Sequence, residues 1–89
     1  MNEGELILMN HPNPFSDITI IEVQGFDDFQ NSHLLVENTT GQIIQSFEIN
    51  QKDSKFELNG TKLVSGIYYY SIINKNQTRV KTNIMSVIK

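Results

Sequence analysis

The chain has 89 residues, enough for one domain with a thin core that buries about 60 to 65 per cent of the surface its unfolded form exposes. It has no cysteine and a net charge of −3, with seven Lys and Arg scattered singly. Disulfide staples and thiolate metal sites are therefore excluded, and no basic stripe is available for nucleic acid or anionic lipid. Apolar residues make up 38% and charged ones 19%, a globular balance, and no apolar run nears the roughly 18 residues of a membrane span.

The opening Met1-Asn2-Glu3-Gly4-Glu5 is acidic, and Leu6-Ile7-Leu8-Met9 is too short for the core of a signal peptide. Met1 so near the first apolar run reads as a cloned start, and the chain is expected to be a piece of a longer protein. Residues 5–9 are expected to form a first, edge strand. It stops at Asn10-His11-Pro12-Asn13-Pro14, where two prolines remove donors and hold their predecessors extended. Phe15 then tucks under that turn as a plug. Ile18-Thr19-Ile20-Ile21-Glu22-Val23 is rich in β-branched residues and forms a second strand. In the connection that follows, Asp27-Asp28, near Asp17, has the oxygens calcium seeks but not the spacing of a known calcium loop. A solvated turn is the simpler account, and no metal site is assigned.

The next local signal is a hairpin across Asn38-Thr39-Thr40-Gly41. Asn at the first place and Gly at the fourth suit a type I turn, with Gly41 free to take positive φ as a bulge. Leu34 and Val36 on one arm, and Ile43, Phe47 and Ile49 on the other, are expected to face the core, with Gln45 interrupting the second arm. Lys55-Phe56-Glu57-Leu58-Asn59 alternates strictly, with Phe56 and Leu58 inward. Leu63-x-x-Gly66-x-Tyr68 then has the form of a tyrosine corner, in which glycine permits a tight bend and the phenol reaches back to an upstream backbone group.

Tyr68, Tyr70 and Ile72 on one face, with Ile67, Tyr69 and Ile73 on the other, suit a central strand covered on both sides. After the polar turn at Asn74-Lys75-Asn76-Gln77, residues 78–89 carry Val80, Ile84, Met85, Val87 and Ile88 and should pair with that strand. Seven strands with turns about every ten residues and no helical period predict an all-β, immunoglobulin-like Greek-key antiparallel sandwich.

Chemistry is hard to find in this pattern. His11 lies in the proline turn and His33 opens a strand, and nothing in these positions suggests that either imidazole meets a serine as a catalytic base. The acids fall on outward faces or turns, and there is no phosphate loop or zinc signature. An enzyme is not expected, and no cofactor is implied.

The order of Asn13-Pro14-Phe15-Ser16-Asp17, the Asn38 to Gly41 hairpin, Leu63-Val64-Ser65-Gly66-Ile67-Tyr68 and an apolar, basic ending at Lys89 resembles the C-terminal sorting domain of type IX secretion (Por secretion) cargo in Bacteroidetes, type A. The resemblance spans nearly the whole chain. It departs at Asn38, where Asp is common, and at Ser65, where Pro is frequent. It implies a non-catalytic label that directs an N-terminal cargo through the periplasm and across the outer membrane to the cell surface or medium. The implied partners are the translocon, an outer-membrane shuttle protein and a surface sortase that removes the label and attaches the cargo to lipopolysaccharide. By the same resemblance the recognition residues are Asn13, Pro14, Gly41, Gly66, Tyr68 and Lys89. An exposed final strand would offer an edge for partner strands or self-association. The alternative is an accessory module that binds carbohydrate or spaces domains in a surface enzyme or adhesin, for which Tyr69 is the candidate platform.

Overall fold

Alternating β-branched and aromatic side chains produce seven strands in the computed structural model, which describes residues 5–89. The acidic opening, residues 1–4, lies outside the described residues. The strands are β1 (Ile7–His11), β2 (Ile18–Gln24), β3 (Ser32–Asn38), β4 (Ile43–Ile49), β5 (Ser54–Asn59), β6 (Gly66–Ile73) and β7 (Arg79–Val87). One sheet has the order β1-β2-β5 and the other β4-β3-β6-β7. All ladders between these strands are antiparallel. Among the described residues there is no helix, and so none long and apolar enough to cross a membrane.

The core lies between the two sheets. Leu8, Ile21, Val23 and Leu58 come from the three-stranded sheet, while Leu34, Val36, Tyr68, Tyr70, Ile72 and Met85 come from the other. Phe15 and Phe26, in the connections, close the two ends. Each fully buried large aliphatic side chain contributes about 1.5–3 kcal/mol relative to exposure, so a one-residue slip of β6, which would turn Tyr70 and Ile72 outward, is strongly opposed.

Three expectations are corrected. β1 ends at His11, not before Asn10. Asn10 pairs with Ile21 and His11 with Ile20, because the proline after His11 favours extended geometry in its predecessor and need not end the strand there. On β4, Ile43 is 57% exposed. The register slips where Val36 pairs with Gln45 and Glu37 with Ile43, and Ile44, on the bulge, packs against the core instead.

The third correction concerns β6. It is central, between β3 and β7, and its Tyr68, Tyr70 and Ile72 are buried. Its other face is not covered throughout. Ser71 and Ile73 are buried, whereas Ile67 is 41% and Tyr69 38% exposed. Arg79, opposite Ile73, reaches Ser71 Oγ at 2.7 Å and Glu37 at 2.9 Å and bridges one half of that face. Among the described residues no third layer lies over the other half.

Candidate functional site

In an antiparallel sandwich successive connections alternate between the two ends. The β1–β2 connection, the β3–β4 turn, the β5–β6 loop and the finish of β7 therefore share one end, here termed the motif pole. Asn13, Pro14, Gly41, Gly66, Tyr68 and Lys89 all lie on or beside these four segments. The start of β1 and the β2–β3, β4–β5 and β6–β7 connections form the far pole.

The corner is formed as its spacing predicts. Tyr68 Oη donates to Val64 O at 2.8 Å, and Gly66 adopts φ +151°, a region that side chains with a Cβ rarely enter. No atom would meet a Cβ at Gly66, so its requirement is conformational. Ser65, in the same bend, receives a hydrogen bond from the Lys89 backbone N–H at 2.9 Å. The Lys89 ammonium donates to Gly60 O at 2.7 Å and Thr61 O at 3.3 Å. The last residue is thus fastened to the loop that makes the corner.

A second fastening comes from the proline turn. Phe15 makes a short parallel bridge to Val87, donating its N–H to Ser86 O at 3.0 Å and accepting from Ile88 N at 2.9 Å. Asn13 extends this bridge with its side chain: its amide donates to Ile84 O at 3.2 Å and accepts from Ser86 N at 3.0 Å. One side-chain amide thereby performs the two exchanges of a peptide group in a ladder. The Phe15 ring fills the notch over Gly60, where a Cβ would stand 2.6 Å from Cε2. Gly60 is required for close approach. The expectation of a freely exposed final edge is therefore corrected along residues 84–88.

Gly41, at φ +86°, completes the hairpin turn. Its N–H donates to Asn38 O at 3.0 Å, while Asn38 Oδ1 accepts from the N–H groups of Thr40 and Gln42. A groove of about 400 Å³ separates this turn from the corner loop, with Thr39 and Thr40 on one wall and Leu63 and Val64 on the other. Asn38 also pairs with Tyr68 across β3 and β6, which joins turn and corner through the sheet.

Sequence reasoning missed a polar network behind this pole. Tyr70 Oη donates to Asn10 Oδ1 at 2.8 Å, Asn10 Nδ2 donates to Thr19 Oγ1 at 3.0 Å, and Thr19 Oγ1 donates to Pro12 O at 2.9 Å. Asn13 Nδ2 also lies 3.3 Å from Asn10 Oδ1. Burial pushes the Tyr70 phenol up to about 12, partly offset by the nearby Asn83 amide. The available signal was Asn10 itself, two residues after Leu8 on the inward register, where a buried amide must find partners.

The other candidate chemistry stays dispersed. His11 lies 3.6 Å from Glu22 near the motif pole, while His33 pairs with Ile73 towards the far pole. Asp27 approaches Lys52 at 3.6 Å, and among the described residues no three metal-ligating side chains gather. Compared with known families, residues 10–86 match the model described as a secretion system C-terminal sorting domain. No curated protein and no solved structure gave a match.

Proposed function

The chain belongs to the family of secretion system C-terminal sorting domains, and from that premise we propose that its motif pole is the surface read by the type IX translocon and its outer-membrane shuttle protein. Family membership implies a type IX sorting signal for an N-terminal cargo, a role of addressing and not of catalysis. The observation that carries the reading is convergence. Asn13, Pro14, Gly41, Gly66, Tyr68 and Lys89, dispersed in the sequence, share one end of the sandwich, while Ile7 starts β1 at the other. A cargo joined ahead of β1 is thus held away from the address.

The same reading extends to delivery at the cell surface or into the medium, removal of the domain by a sortase and attachment of the cargo to lipopolysaccharide. It also includes an immunoglobulin-like Greek-key connectivity, supported by the pairing of β3 with β6 and of β2 with β5, and membership of the type A group, supported by the order of the motifs. A second reading, a carbohydrate-binding or spacer module, draws on Tyr69, 38% exposed beside Ile67 and Ile84. A Tyr69→Ala change that abolishes sugar binding while leaving export intact would favour it.

The test fuses a reporter ahead of residue 1 in a bacterium with a type IX system. Lys89→Ala with Val64→Asp, both exposed at the motif pole, should hold the reporter in the periplasm. Lys75→Ala with Asp53→Ala, at the far pole, should leave delivery unchanged. Folded motif-pole variants that reach the surface at the normal level would overturn the proposal.

A further inference from the structure

The outer edge of β7 is divided. Along residues 84–88 its outward main-chain groups are occupied by Asn83, Asn13 and Phe15. Ser86 and Ile84 point their main-chain groups outward, so by alternation those of Thr82 do too. Among the described residues no hydrogen bond outside the β6–β7 ladder reaches them. One half of the edge is guarded; in the adjoining half the Asn83 side chain ties β7 to β1, donating to Leu8 O at 3.0 Å, while the Thr82 main-chain groups are left without a partner beyond the ladder among the described residues.

The guard is a weak competitor for what it covers. Its main-chain pairing with β7 is confined to Phe15, although Asn13 is the next residue whose main chain would face β7 by alternation. Asn13 supplies the rest through its side chain while itself exposed. The Phe15 ring anchors the segment in the core, and Thr19 Oγ1 holds the Pro12 carbonyl just ahead of it at 2.9 Å. An extended strand with its full set of donors could pair at Thr82 first and then replace Asn13 and Phe15 step by step.

We infer that β7 is a strand-addition site for an extended segment of a partner protein, entered at Thr82 and guarded over residues 84–88 by the chain's own Asn13 to Phe15 segment. The guard shows what the edge accepts: a strand running parallel to β7, with an apolar side chain where Phe15 fills the notch over Gly60. This deepens the reading of the motif pole as an address, because the partner would be part of the machinery that reads it. The edge chemistry itself is tested without secretion, so a failure of either idea leaves the other distinguishable.

The probe is a fluorescent peptide of residues 9–17 with both prolines replaced by threonine, added to the full 89-residue chain and followed by anisotropy. Asn13→Ala in the domain removes half of the guard and should tighten peptide binding at least tenfold. Thr82→Pro places a proline where the N–H faces outward, a position tolerated on edge strands, and should weaken binding at least tenfold while the circular dichroism spectrum is kept. Hydrogen exchange supplies a measurement that needs no variant: bound peptide should slow exchange at Thr82. Equal affinity across wild type, Asn13→Ala and Thr82→Pro would overturn the inference. So would protection at β4 in place of β7, or concentration-dependent dimerisation that blocks the peptide and so makes a second copy the occupant.

Discussion

At one end of the sandwich Asn38 heads a turn that closes on Gly41; at the other Asn74 heads the same turn and closes on Gln77. In both, the Asn N–H donates to the carbonyl four residues on, and its side-chain oxygen accepts two further main-chain N–H groups. The fourth residue has φ +86° in one and +63° in the other. The poles differ in what surrounds these turns. At the motif pole the proline turn, the corner loop and the end of β7 are fastened to one another through Asn13, Phe15, Tyr68 and Lys89. At the far pole the β2–β3 and β4–β5 connections meet through Gly25, Phe26 and Asp53, while the Asn74 turn is closed mainly on itself. The motif pole is thus distinguished by bonds that run from one connection to the next and on to the end of β7.

The largest break in this contrast comes from Phe15→Ala. It empties the plug over Gly60 and removes the anchor of the guard, so unfolding in urea should show a loss of about 3–5 kcal/mol. Next, Tyr70→Phe leaves the buried Asn10 oxygen without its phenol donor and should cost about 1–3 kcal/mol at neutral pH.

Tyr70 also predicts an alkaline response. Its folded pKa is raised to about 12 from the ordinary 10, so the folded state holds the proton more tightly. That stabilisation is complete below about pH 10 and is lost as pH rises towards 12, by about 2–3 kcal/mol. In Tyr70→Phe the corresponding part of the alkaline decline should be missing from a stability titration.

At the far pole effects should be smaller. Asp53→Ala removes the carboxylate that accepts the Gly25 N–H at 2.8 Å and should cost about 1 kcal/mol or less. The smallest effect has the opposite sign. Gln77→Gly relieves a positive φ and should raise thermal stability by about 0.5–1 kcal/mol, whereas Gly41→Gln at the matching place should lower it by a similar amount. If the two substitutions moved stability in the same direction, the equivalence of the turns would fail.

Much of the fold was legible because period-two burial leaves a direct trace in residue order. The hairpin at Gly41, the corner bond of Tyr68 and the inward set Tyr68, Tyr70 and Ile72 followed from local spacing. Ile43 was misplaced because a bulge changes which side chain faces inward without changing composition. The open outer face at Ile67 and Tyr69 was hidden for a different reason: apolar residues on both registers permit a covered strand without supplying the cover.

The pairing of Asn13 with Ile84 and Ser86 was also hidden, since a side chain acting as main chain has no periodic signature. The convergence of the motifs was available in principle. In an all-antiparallel chain of this length, alternate connections fall at the same end, and the motifs occupy alternate connections.

Hydrogen exchange on the domain, alone and with the purified shuttle protein, tests the assignment of the address most directly. Protection confined to residues 12–17, 39–42, 60–66 and 84–89 is the predicted result. Protection centred on residues 25–31, 50–53 and 74–78, with the motif pole unchanged, would contradict it.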